Sequence, residues 1–180
     1  MPSHIRSFST LMRRFRRDRG GSAVVEFALV APMFFALLFA IIETALMFFA
    51  SQVLETVTQD SARLIFTGQA QNQALTAAQF KSAVCSKVAA LFDCQNGISI
   101  DVQSYPQFSN VNVANPIDGS KNFTNPNNYN PGGPGDIVVV RLFYQWPIIV
   151  TKFHYDISNL SGSKRLLSAT AAFQNEPYNP

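Results

Sequence analysis

The residues of this chain whose types could do chemistry are few, and the most telling of them sit at one junction. Gly20-Gly21 separates an arginine-rich start from a long apolar run, and Glu26 lies just inside that run. A small, flexible glycine pair at such a boundary offers a peptide bond to hydrolysis, which makes the chain a substrate there and not a catalyst. A carboxylate inside an apolar segment needs a partner or it neutralises. Glu43 is a second carboxylate in the same run. Elsewhere the inventory is thin. His4 and His154 belong to no metal-ligand cluster, and His154-Tyr155-Asp156 are adjacent residues that do not converge as an acid–base site would. Cys85 and Cys94 lack Cys-x-x-Cys spacing, and no nucleophile motif is present. An enzyme is not expected, nor is a metal or a cofactor.

Charge gives this junction a direction. Six arginines (Arg6, Arg13, Arg14, Arg16, Arg17 and Arg19) against Asp18 put the first 21 residues at a formal +5; the rest of the chain, with eight Lys/Arg and ten Asp/Glu, stands at −2. The overall +3 therefore comes from the leader. Basic residues flanking a first membrane span stay on the cytoplasmic side. That reading fits a block that stops where the apolar run begins, and nucleic acid is not expected as a partner. Arg13, Arg14, Arg16, Arg17 and Arg19 are the topogenic set.

The elements that must position these groups are set by the pattern. Phe27–Ala50 holds 24 residues with Glu43 as its one charge, where about 20 residues cross ~30 Å of hydrocarbon. Val53, Leu54, Val57, Leu64 and Ile65 then fall near one helical stripe. With no Gly or Pro between Pro32 and Gly68, the spacing predicts one helix over 22–66, about 67 Å long at ~1.5 Å per residue. Its first half would lie in the membrane and its second would project as an amphipathic stalk. Pro32 removes one backbone hydrogen bond. Glu43 reaches the outer interface if the span begins near Ser22, or lies in lipid and demands a partner if it begins at Phe27.

Gly21-Ser22-Ala23-Val24-Val25-Glu26-Phe27 resembles the Gly–x4–Glu-Phe processing motif of Flp/Tad-type prepilins and pseudopilins. Pro32, Ile41-Ile42-Glu43, and Ser61-Ala62-Arg63 followed by Thr67-Gly68 resemble the TadE-like domain of tight-adherence pilus assembly proteins. The likeness covers about residues 18–68. Thr44 and Ala45 depart from it, since many members carry Gly or a small residue soon after the in-membrane Glu. The resemblance implies a membrane-anchored minor pilin, or pseudopilin, of a Flp/Tad-type adhesive pilus. It implies cleavage between Gly21 and Ser22 by a prepilin peptidase, with Glu26 and Phe27 as recognition and subunit-pairing residues and Glu43 as an in-membrane contact. The implied partners are that peptidase, the major pilin and other pseudopilins, the inner-membrane assembly platform and the lipid bilayer. The implied location is the bacterial inner membrane, single-pass, N-terminus in the cytoplasm and C-terminal domain in the periplasm. Cleavage would leave Ser22 as the new N-terminus and Glu26 at its fifth position. The free amine of one helix could then lie beside the Glu26 of a staggered neighbour; alternatively Glu26 rests at the headgroup boundary. The competing expectation is a permanently anchored periplasmic binding module of an envelope complex.

After Gly68 the composition changes. Thr76 with Gln79 three residues on is a capping-box signal, and the apolar spacing predicts a second helix over 76–92. Three strands are expected, over 98–105, 137–146 and 166–174, the second apolar on both faces apart from Arg141 and Gln145 and therefore central. Residues 106–135 carry eight Asn, five Pro and four Gly, which is loop chemistry. This segment reads either as a partner-contacting loop or as a plain solvated one, and Asp118 among its asparagines offers too few acidic ligands for calcium. With two cysteines and an oxidising compartment, Cys85 and Cys94 are expected to form a disulfide; a continuous helix would hold their Cα atoms ~13.5 Å apart, so the second helix must end before Cys94. The expectation as a whole is an α+β protein: leader 1–21, transmembrane and stalk helix 22–68, and an α+β domain 69–180 whose second helix packs on a small antiparallel sheet.

Overall fold

In the computed structural model of the 180-residue chain, residues 21–88, 92–149 and 156–177 are described. The arginine-rich leader, His4, His154 and Tyr155 lie outside them. The elements run α1 (Ser22–Phe66), α2 (Gln69–Asn72), α3 (Ala77–Cys85), α4 (Cys94–Gly97), β1 (Ile98–Tyr105), β2 (Ile137–Pro147) and β3 (Lys164–Gln174). The α+β expectation is met: one long helix, a second helix, and a three-stranded antiparallel sheet in the order β1-β2-β3.

The helix α1 runs 45 residues through Pro32. It ends because Gly68 turns left-handed, at φ 73°, a conformation that costs glycine nothing, and the Gly68 N–H closes on the Ile65 carbonyl at 2.9 Å. Two compact units part between Ile41 and Ile42. In the first, the apolar side chains of α1 stand exposed, Val24 at 68% and Leu29 at 75% among them. In the second, Glu43, Met47, Ala50, Leu54, Val57, Ser61, Ala62 and Ile65 are buried. Apart from the adjacent Ser61 and Ala62, their spacing of three and four is one face of a helix.

That stripe meets the sheet. Met47, Leu54, Val57 and Ile65 form one core with Phe80 and Val84 of α3 and with the inward side chains Ile98, Ile100, Val102, Val138, Val140, Leu142, Leu167, Ala169 and Ala171. The Thr76 hydroxyl accepts from the Gln79 N–H at 3.3 Å while the Gln79 side chain accepts from the Thr76 N–H at 2.9 Å, so the expected capping box opens α3. The helix then stops at Cys85, well short of the expected Phe92. The Cys85–Cys94 disulfide, Cα atoms 5.6 Å apart, requires the chain to fold back early. Phe92 is buried all the same, edge-on to Tyr144 at 4.8 Å. Gly97 is demanded by a close approach: a Cβ there would stand 2.7 Å from the Tyr144 ring.

The Asn/Pro/Gly segment is neither plainly solvated nor detached. It supplies the layer over the sheet's second face. Its Asn128 carbonyl and Asn130 N–H bond the edge of β1 at Val102, at 2.8 and 2.9 Å, and Phe123 packs on Phe143 of β2 at 5.5 Å between ring centres. Beneath it lies a buried ion pair. Arg141 Nη2 donates to Asp101 Oδ2 at 2.6 Å, with both side chains almost fully covered. Its Nη1 donates to the Ala114 carbonyl at 2.9 Å, and Asn128 Nδ2 donates to Asp101 Oδ1 at 2.8 Å. Burial alone would raise the Asp101 carboxyl, but hydrogen bonds from Asn128, Arg141 and Gln103 and the charge of Arg141 outweigh it and hold the group below its ordinary 3.8.

Two consequences for stability can be measured. Asp101→Asn leaves the Arg141 guanidinium buried without a counter-charge, a loss of ~3–5 kcal/mol at neutral pH, read by denaturant unfolding through the lone tryptophan, Trp146. Because the folded carboxyl titrates below the unfolded one, its contribution is complete above the unfolded pKa and drains as pH falls through the folded pKa; wild type therefore loses this component below about pH 4 and Asp101→Asn has none to lose. Separately, reducing the disulfide, whose cysteines are nine residues apart, lowers unfolding free energy by ~2–3 kcal/mol in the chain-entropy model. Thiol labelling before and after reduction, paired with the same unfolding assay, checks it.

Candidate functional site: the apolar helix and its two carboxylates

The junction residues open α1. The Val25 N–H donates to the Gly21 carbonyl at 3.1 Å, so the helix's backbone ladder begins at the Gly21–Ser22 peptide. Gly21 is exposed, its φ is not left-handed, and a Cβ added there would meet nothing within 4 Å. Among the described residues, neither packing nor backbone geometry calls for a glycine at this position. One turn on, Glu26 is exposed, and Phe27 beside it is 65% exposed. The helix is long and apolar enough to cross a membrane, and almost none of its most apolar stretch is covered by protein.

Glu43 stands in other surroundings. It is 8% exposed and is the first residue of the buried stripe. The backbone N–H of Ile149, just past the end of β2, donates to its Oε1. A buried carboxylate is stabilised by hydrogen-bond donors aimed at it, and here the folded domain supplies one. The two places expected for Glu43, at the interface or in lipid, left out a donor from its own chain. Sequence reasoning alone misses Ile149, which is 74% exposed. The signal that could have found it is the run Pro147-Ile148-Ile149, apolar beyond the end of the strand.

The remaining candidates are structural. Asp118 Oδ1 accepts from the N–H groups of Ser120 and Asn122 at 2.9 and 2.7 Å, and those backbone bonds, Asn122's first, hold its carboxyl below the usual range. The group is thus used in shaping its own turn. Asp156 likewise accepts from the Ser158 N–H at 2.8 Å. Among the described residues no three His, Cys, Asp or Glu come together as a metal site. Two shallow clefts of about 380 and 330 Å³ flank the start of β1, lined mainly by Asn, Ser and Lys side chains such as Asn96, Ser99, Asn125 and Lys81. They are polar and open, unlike the enclosed apolar pockets that hold small molecules.

No curated protein and no solved structure matches the chain. The stretch that does match a known family is the helix just described, from the exposed glycine at its head to the middle of the buried stripe: residues 21–63 match the family model described as TadE-like protein, so this chain carries a TadE-like segment and is related to the proteins of the Tad pilus.

Proposed function

We propose that this chain is a membrane-anchored minor pilin, a pseudopilin of a Flp/Tad-type pilus, cut by a prepilin peptidase between Gly21 and Ser22. The carrying observation is that the TadE-like match begins at Gly21, where a glycine stands that nothing among the described residues requires. A residue with no packing or conformational duty suits recognition by an enzyme whose cleft has room only for hydrogen at that position. Removal of the leader takes away the +5 charge that would keep neighbouring helices apart. It also leaves an ammonium group at Ser22.

Glu26 has its role in that assembly. It is exposed on an otherwise apolar helix surface, in a position where a neighbouring subunit's N-terminal amine can meet it when helices pack with an axial stagger. An ion pair excluded from water gains far more than one at a surface. The leader before cleavage holds the N-terminus in the cytoplasm, by the distribution of arginines, and the folded domain from Ile42 onward stands in the periplasm, where its disulfide is stable. The role is one of assembly and not of catalysis.

Intact mass of the membrane-extracted protein decides the cleavage. The expected N-terminus is Ser22 in cells carrying the peptidase, and Gly21→Trp, with its bulk at the cut site, keeps the leader. A full-length chain in those cells points instead to a permanent anchor. Glu26→Ala is expected to insert normally, since deleting a charge from the span removes an insertion cost of up to about 2.5–3.5 kcal/mol, yet to lose co-purifying pilins and surface pili. Wild-type piliation in that variant refutes the pairing role.

A further inference from the structure

The two clefts beside β1 adjoin one another. Asn96, Ser99 and Asn125 line both. Each comes from a different element, and each element is held. Ser99 stands on the outer face of β1, between the buried Ile98 and Ile100. Asn96 belongs to α4, which the Cys85–Cys94 disulfide ties to the end of α3. Asn125 belongs to the Asn/Pro/Gly segment, between Phe123, packed on Phe143, and Asn128, bonded to Asp101. A groove lined by a stapled corner, a strand and an anchored loop is formed before any ligand arrives, which lowers the cost of binding.

Asn125 is the strained member. Its φ is 49°, in the left-handed region, although Pro126 follows it and a proline favours extended backbone in the residue before it. Residues held in such conformations cluster at ligand clamps. The side chain of Asn125 makes no hydrogen bond among the described residues, and the same is true of Ser99, Asn127 and Lys81. Tyr129, on the second cleft, has its hydroxyl buried with no partner among the described residues. Amides and hydroxyls each present both a donor and an acceptor. Phe123 and Tyr144, both half-buried, add ring carbon to the first cleft. The charges select no ion: Asp93 accompanies Lys164 in the first cleft, Lys81 lines the second, and no arginine lines either. The side-chain pockets that hold the apolar anchors of a peptide are missing from this lining as well.

We infer that the joined clefts are a binding site for an uncharged oligosaccharide, laid across the outer face of β1 with the Asn125 amide at the junction, bonding sugar hydroxyls on either side. A sugar carries hydroxyls around its rim and C–H groups on its faces, so it meets neutral amides with the one and aromatic carbon with the other. An open, shallow groove suits a chain of such units, since most of each unit stays in water and only one edge is read. This site is independent of the assembly role proposed above, and its loss leaves cleavage at Gly21 unchanged.

The test uses the full-length, nitrogen-15-labelled protein in lauryldimethylamine oxide micelles, a detergent without a sugar headgroup. The N-acetylglucosamine tetramer and maltotetraose, both uncharged, are titrated in, and amide shifts are followed by NMR. At least one of the two is expected to bind saturably with a millimolar or tighter Kd, to shift the signals of Ser99 and Asn125, and to bind equally well in high salt. Asn125→Gly keeps the left-handed backbone at no steric cost and deletes the amide; it is expected to weaken binding about tenfold with no fall in the unfolding midpoint read at Trp146. Ser99→Ala, which leaves the backbone as it is, weakens binding in parallel, and Gln52→Ala, at an exposed position of α1, does not. Absence of saturable shifts with both sugars overturns the site, as does wild-type affinity in both the Asn125 and Ser99 variants. Binding that high salt abolishes overturns it in favour of a charged ligand.

Discussion

One helix in this chain has to suit two solvents. Over residues 23–42 its side chains are mostly exposed and, Glu26 apart, apolar on every side, while from Glu43 to Ile65 one face is buried in protein and, past Phe49, the others are wet. An α-helix satisfies its own backbone, so it can pass between the two media without a break, but its surface must change within a few turns. The change is marked by a carboxylate that accepts a hydrogen bond from the backbone amide of Ile149, just past the end of β2. Everything downstream depends on that stripe, because among the described residues the sheet has no other helix of comparable length to bury its inward face; α3 adds nine residues, of which Phe80 and Val84 are buried.

The sheet is covered on two sides by unlike materials. On the inner face, helices supply apolar contact, worth roughly 1.5–3 kcal/mol for each fully buried large side chain. On the outer face the cover is an Asn-, Pro- and Gly-rich loop with little apolar surface to give. Beyond the packing of Phe123 on Phe143, such a loop is held in place by directional bonds, and two of them meet at Asp101 and Arg141. A buried ion pair is a weak source of net stability, since desolvation offsets much of the attraction. Its value here is that each partner also binds the loop, Arg141 at Ala114 and Asp101 at Asn128, so the pair specifies where the loop lies.

How much of this was legible depends on which signals are local. The bounds of α1 could be read off because no helix breaker stands between Pro32 and Gly68, and β1 and β2 because alternation and a two-faced apolar run have distinct periods. The end of α3 was misplaced because its apolar spacing continues to Phe92, which is buried without being part of that helix; the disulfide, a constraint between two turns, decides where the helix stops. The loop's position was not legible, since its bonds are long-range. Even so, Arg141 was the one charge in an otherwise apolar strand, and Asp101 faces it directly across the β1–β2 ladder. A lone arginine in a central strand is a request for a carboxylate on the adjacent strand, and pairing the expected strands antiparallel would have found it. Glu43 illustrates the reverse: its place in the helix was plain, but its donor, 106 residues away in sequence, was not.

The separations of these contacts along the chain also set an order in time. Cys85 and Cys94 are nine residues apart, while Asp101 and Arg141 are 40 apart. Closing the longer loop costs about 1.3 kcal/mol more in chain entropy, and none of the outer cover can settle until β2 has paired with β1. A chain emerging from its N-terminus can therefore complete the helix and the disulfide corner while the loop's binding surface does not yet exist. The exposed edge of β1 is then open, and the next segment to emerge is polar, proline-rich chain, a poor partner for strand-to-strand aggregation. The sequence of residues 106–135 thus serves the nascent protein as well as the finished one, keeping an unfinished sheet from finding the wrong neighbour.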